Sequence, residues 1–183
     1  MDRRQRKTRD AIFTAFTALL SEKSYHQISV QDIIDRADIG RTTFYAHFET
    51  KDFLLKALCE ELFEHIMKPA HNSFSHCTFS VGDPVFVHLL HHIRSNDFNI
   101  TDLLSSQNNE IFLRYFKGNL KQLILTQYDN KDIFNNSKLP ADYLINHISS
   151  TFVETVEWWI LNKMKDTPET VCEYFLSVIE PVL

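Results

Sequence analysis

Glycine is scarce in this chain, with three in 183 residues, and there are only five prolines. So few glycines leave few positions for a positive φ. That disfavours a hairpin-rich β fold and any glycine loop wrapped around a phosphate. Cysteine is scarce as well: Cys59, Cys77 and Cys172 are odd in number and far apart. The pattern speaks against a disulfide scaffold and for a reducing compartment, with Cys59 and Cys77 read as inert thiols. No run approaches the ~18 consecutive apolar residues of a spanning helix, so no membrane partner is expected. The opening MDRRQRKTRD is basic, and the apolar stretch from Ala11 is broken by Thr14 and Thr17. A secretory signal is therefore not expected, and a cytoplasmic location is. No Ser/His/Asp or Cys/His spacing of a known catalytic kind occurs, so neither an enzyme nor a cofactor is expected.

What is present is aromatic and apolar. Fifteen phenylalanines and an apolar share of 44% suit an all-α protein with a large interior. The net charge of −5 is unevenly spread. Residues 1–56 carry +2 and the remainder −7, with Arg3 to Arg9 the densest basic stretch.

Helical periodicity runs from about Arg3 to Glu22, with Ala11, Ile12, Ala15, Phe16, Leu19 and Leu20 on one face. Ser24 to Gln27 reads as a short connection. Ser29 with Asp32 three residues on is a capping-box pattern and opens a helix of about two turns through Val30, Ile33, Ile34 and Ala37. After Gly40, the text Arg41-Thr42-Thr43-Phe44-Tyr45-Ala46-His47-Phe48 places Phe44 and Phe48 one turn apart, facing inward. Two helices this short need a third to hold them. The first helix supplies it, which is the layout of a three-helix helix-turn-helix unit.

Thr50 caps a fourth helix from Lys51 to about Met67, with Pro69 marking its end. Residues 70–83 read as a loop. Pro84 opens a helix through Val85, Phe86, Leu89, Leu90 and Ile93. A less regular stretch runs from Asp97 to about Ser106, and a strong helix from Glu110 to about Tyr128. Residues 129–138 read as a loop. Pro140 to about Lys165 is helical, and Thr167-Pro168 caps a last helix that runs to the C-terminus.

Residues 1–67 resemble the DNA-binding domain of the tetracycline repressor (TetR) family. The resemblance rests on Ile28-Ser29-Val30, Asp32-Ile33-Ile34, Ala37-Asp38-Ile39, the run Arg41 to Phe48, and Lys51-Asp52-Phe53-Leu54. Departures are Ser24 and Asp38 where the family often has glycine, and Gly40 where it usually has serine. Asp38 tolerates a left-handed backbone better than most residues, and Gly40 is an acceptable though weaker cap. Glu157-Trp158-Trp159-Ile160-Leu161 with Thr167-Pro168-Glu169 resembles the last helix pair of one branch of small TetR-like regulators.

The resemblance implies a helix-turn-helix domain over 1–50, a connecting helix over 51–67, and a helical ligand-binding and dimerisation domain over 68–183. It implies a homodimer on a palindromic double-stranded operator, acting as a repressor released by an unknown small-molecule effector. The alternative is a co-regulator working mainly through protein–protein contact. Arg41, Thr42 and Thr43 are the expected base readers. Tyr45, His47, Ser29 and Lys51 are the expected phosphate contacts, and Arg3, Arg4 and Arg6 add salt-dependent attraction. Phe63, Phe86, Leu90, Phe112, Tyr115 and Phe116 are the expected effector lining. Phe152, Val156, Trp159, Phe175 and Ile179 are the expected dimer contacts. His88, His91 and His92 stand at helical spacing. His88 and His92 could hold zinc, but without a Cys or carboxylate at ligand spacing they are read as a solvated face with no metal.

Overall fold

The computed structural model describes residues 3–67, 85–95, 100–105, 110–128 and 139–179, apart from the side chains of His65, Gln127 and Tyr128. The described chain is helical throughout, with no strand among the described residues. Its helices are α1 (Arg3–Glu22), α2 (Val30–Ala37), α3 (Arg41–His47), α4 (Lys51–Met67), α5 (Val85–Arg94), α6 (Ile100–Ser105), α7 (Glu110–Tyr128), α8 (Ala141–Leu161) and α9 (Pro168–Ile179). A single 3₁₀ turn, Tyr25–Gln27, lies between α1 and α2. The expected loops over 70–83 and 129–138, and the proline signals at Pro69 and Pro84, fall outside the described residues.

The first three helices form one packed unit. Ile12, Phe13, Phe16, Leu19 and Leu20 of α1 are buried, as are Ile33 and Ile34 of α2 and Phe44 and Phe48 at α3. Phe13 and Phe48 stack at 5.6 Å, and Phe44 and Phe48 at 6.2 Å. α4 leaves this unit and packs along α7; α7 packs on α8, and α9 lies against both α5 and α8. The buried side chains make one continuous cluster from Ile12 to Ile179, with α4 running through it.

The short helices are fixed at their ends. The Asp32 backbone N–H donates to the Ser29 hydroxyl oxygen (3.1 Å), and the Ser29 N–H donates to the Asp32 carboxylate (2.7 Å). This is the capping box expected from the sequence. Asp38 ends α2 in the left-handed region at φ 51°, ψ 52°, and the Ile39 N–H reaches back to the Ile34 carbonyl at 3.2 Å. An aspartate thus occupies the position where glycine is usual. Thr50 caps α4 through the Phe53 N–H (3.2 Å), and Thr167 caps α9 through the Thr170 N–H (3.3 Å).

Two expectations need correction. The helix read from Pro140 to about Lys165 stops at Leu161. Lys163 and Met164 take positive φ values of 60° and 48°, and the Met164 N–H bonds back to the Trp159 carbonyl at 2.9 Å. The chain makes a left-handed stop without glycine, so no sequence signal marked it. The histidines of α5 do not form a solvated face either. His88 is 5% exposed and His92 is 4% exposed; only His91 reaches the surface, where its Nε2 meets Glu169 at 2.6 Å.

Gly118 lies within α7 with nothing near the position a Cβ would occupy. Gly118→Ala should therefore stabilise the fold by about 0.5–1 kcal/mol, through helix propensity alone, read as a higher midpoint in urea. The capping box sets a pH dependence. The Ser29 hydroxyl and N–H, together with Lys23, hold the Asp32 carboxyl well below the usual range. A lowered folded-state pKa contributes stability above the unfolded value of about 3.9, and the contribution disappears as pH falls below it. Ser29→Ala should lower the melting temperature by a few degrees at pH 7, and its difference from the parent should shrink in acid.

Candidate nucleic-acid interface

α3 is two-sided. Phe44 is fully buried, and Phe48, just past the helix, is nearly so, while Arg41, Thr42, Thr43 and Tyr45 are exposed. His47 is half-buried beside the Phe48 ring. The outward residues offer a guanidinium, two hydroxyl–methyl side chains and a phenol, which is the chemistry suited to base edges and phosphate oxygens.

Arg41 is aimed by α2. Its Nη2 donates to Gln31 Oε1 at 2.7 Å, and Gln31 Nε2 donates to Asp35 Oδ1 at 2.7 Å. Gln31 and Asp35 were not expected as site residues. Their i,i+4 spacing on α2 is visible in the sequence, but the contact of Gln31 with a side chain ten positions on is a tertiary fact.

Two of the expected phosphate contacts have internal work. The Ser29 hydroxyl is engaged with Asp32, whose carboxylate also pairs with Lys23 at 3.0 Å, so the start of α2 already carries an anion. The Lys51 ammonium donates to the carbonyls of Tyr25 (2.9 Å) and Ile28 (2.7 Å) and lies 4.2 Å from the centre of the Tyr25 ring. Burial of that ammonium lowers its pKa. Beside it the Tyr25 hydroxyl donates to the Asp52 carboxylate. Burial, reinforced by that bond, pushes the Tyr25 phenol above its ordinary range.

The basic N-terminus divides by role. Arg3, Arg4, Arg6 and Lys7 are exposed on the first turns of α1 and make no ion pair among the described residues. Arg9 is structural: its guanidinium lies over the rings of Phe13 (4.8 Å) and Phe48 (5.4 Å) and approaches Glu61 at 3.8 Å.

The expected effector-lining residues are buried except Tyr115, which is half-buried. They fall into two groups. Phe63 and Phe112 each stack on Phe116, at 5.2 and 5.5 Å, between α4 and α7. Phe86 instead packs against Phe152 and Phe175, at 5.4 and 5.0 Å, between α5, α8 and α9.

The expected dimer contacts are corrected by burial. Phe152, Val156, Trp159, Phe175 and Ile179 are all 0% exposed within a single chain, so they present no surface to a second one. The outer faces of α8 and α9 instead carry Trp158, Leu161, Tyr174 and Val178, all exposed, with the Trp158 and Tyr174 rings 6.1 Å apart. The strongest apolar periodicity marked the internal seam. The outer face was signalled by helices apolar on two sides, as in the adjacent pair Trp158-Trp159.

Among the described residues, no helix is long and apolar enough to cross a membrane.

Residues 12–58 match the profile described as bacterial regulatory proteins of the tetR family, and residues 83–181 match a transcriptional regulator C-terminal region. A TetR transcriptional regulator from Streptococcus agalactiae 2603V has a similar structure, with a TM-score of 0.74 and 35% identity. The match covers 97% of this chain and 96% of that one. The HTH-type regulator SAR0097 of Staphylococcus aureus is 25% identical over 166 residues, covering 83% of this chain and 87% of its own length. The dhaKLM operon activator DhaS of Lactococcus lactis is 40% identical over 60 residues, covering 33% of this chain and 32% of that protein. The chain spans only about a fifth to a third of the first three curated relatives it matches. Proteins of this kind regulate transcription and are not enzymes. The chain belongs to the TetR family of transcriptional regulators.

Proposed function

We propose that the chain binds a palindromic operator as a homodimer and represses transcription until a small molecule releases it. The observation that carries the DNA reading is α3 itself, which anchors Phe44 and Phe48 inward and turns Arg41, Thr42, Thr43 and Tyr45 to solvent. In this reading residues 1–50 form the DNA-binding head, α4 (51–67) the connection, and residues 68–183 the effector and dimerisation part. Arg41 reads a base edge, Thr42 and Thr43 contact bases or a thymine methyl, and Tyr45 and His47 contact phosphates. Ser29 and Lys51 act first by positioning: Ser29 caps α2, and Lys51 ties the turn before α2 to α4, with one ammonium proton left for a phosphate. Arg3, Arg4 and Arg6 supply attraction independent of sequence.

A co-regulator working mainly through protein contact would have no use for an exposed donor set aimed by Gln31 and Asp35. The effector would sit among α4, α5 and α7, near Phe63, Leu90, Phe112, Tyr115 and Phe116, with Phe86 at the far edge. These are aromatic and apolar walls, suited to a hydrophobic small molecule. Ligand relieves repression in this reading, and a promoter fusion measured with and without the gene reads the sign directly.

The exposed faces of α8 and α9 support a dimer. Trp158, Leu161, Tyr174 and Val178 would pack against the same residues of a second copy as a four-helix interface. Leu161→Glu combined with Val178→Glu should shift the sedimentation coefficient to that of a monomer while leaving the helical signal intact. Phe152→Ala, by contrast, should cost about 3–5 kcal/mol of fold stability. A double variant that remains dimeric would remove this interface from consideration.

DNA binding is tested by anisotropy on a fragment from upstream of the gene, titrated at several salt concentrations. Arg41→Ala should weaken specific binding by about 1–3 kcal/mol. Replacing Arg3, Arg4 and Arg6 together with alanine should reduce the slope of log K against log salt by roughly 2–3. No binding even at low salt would overturn the reading.

A further inference from the structure

α5 carries a feature that DNA reading and dimerisation leave unused. His88 and His92 lie one turn apart and are almost wholly buried, and their Nε2 atoms are 3.0 Å from each other. Their rings are 4.8 Å apart and inclined at 41°. With both imidazoles neutral, one Nε2–H donates to the lone pair of the other. Two Nε2 lone pairs converging from one helix are also a bidentate transition-metal set.

The spacing suits an ion. Zinc–imidazole bonds of about 2.0–2.1 Å place two neighbouring donor atoms roughly 2.9–3.4 Å apart, for coordination angles from square to tetrahedral. The 3.0 Å separation already lies in that range. Residues i and i+4 of a helix share a face, so the backbone fixes the bite before any metal arrives. Histidine nitrogens favour zinc, copper, nickel and cobalt over magnesium or calcium.

The pair is covered, but the residue between its members on the same turn is not. His91, on the same turn, reaches the surface and pairs with Glu169 at 2.6 Å, tying α5 to the first turn of α9. Its own backbone N–H, with His91 and Thr167, holds the Glu169 carboxyl down at about 2, so a carboxylate stands beside this turn at any neutral pH. Among the described residues, no set of three His, Cys, Asp or Glu side chains is placed to hold an ion. Coordination would thus rest on two imidazoles, with the other positions open to water or to oxygen donors of a small molecule.

We propose that His88 and His92 form a bidentate site for one divalent transition-metal ion, bound by the Nε2 atoms of both neutral imidazoles. The imidazole that carries its proton on Nε2 changes tautomer, that proton leaving to solvent as Nδ1 takes one up, so no net proton is released and no redox change is involved.

The test is calorimetric titration of the full metal-free chain with zinc chloride, and separately with cobalt chloride followed by visible absorption. One ion per chain is expected. His88→Gln and His92→Gln should each lower the affinity by at least about 100-fold, whereas His91→Gln should change it by no more than about threefold. Binding that persists in the first two variants, or no binding to the parent chain, overturns the proposal. Should either variant fail to fold by circular dichroism, electron paramagnetic resonance of the parent chain with one equivalent of copper(II) decides. Coupling to two imidazole nitrogens supports the site, and coupling to one or none overturns it.

Discussion

The burial of two aromatic rings holds the reading head in shape. α3 is seven residues long and α2 eight, both shorter than a helix that stands alone in water. Phe44 and Phe48 have almost no exposure, and burying a phenylalanine contributes on the order of 1.5–3 kcal/mol. Arg9 reinforces the same point by covering the Phe13 and Phe48 rings. Because the apolar side of α3 is fixed this way, its other side is free to carry polar groups chosen for recognition rather than for stability.

A second junction ties this unit to the rest. Lys51 holds the carbonyls at either end of the turn before α2, and its neighbour Asp52 receives the Tyr25 hydroxyl. The carbonyls of a turn packed against a helix need donors, since a buried backbone oxygen left unpaired is costly. Here a lysine side chain provides them. The raised Tyr25 phenol stays protonated, and therefore a donor, throughout the neutral range.

Much of this was legible in the sequence. Ser29 with Asp32 gave the start of α2, Phe44 with Phe48 gave the inward side of α3, and Thr50 and Thr167 gave two further caps. These are local signals, set by spacing along the chain. What was not legible depends on contacts between distant segments. Gln31 aims Arg41 only because α2 and α3 cross, and Lys51 is drawn inward only because the turn at Tyr25 folds over it. Periodicity reveals an apolar face without saying which neighbour covers it, and the residues expected to meet a second copy are covered within one chain. The end of α8 was missed because Lys163 and Met164 adopt a conformation usually left to glycine.

α4 begins at the junction with the reading head and ends among the aromatic rings that pack on α7. Seventeen residues at 1.5 Å each make a rod of about 25 Å. Its head end is bolted by Lys51 and Asp52, so the head cannot slide along the rod and must travel with it. A tilt of about 5° pivoting at the far end would carry α3 through roughly 2 Å over that length. A repacking around Phe63 and Phe116 that tilted α4 in this way would be magnified into a displacement of that size at the surface of α3.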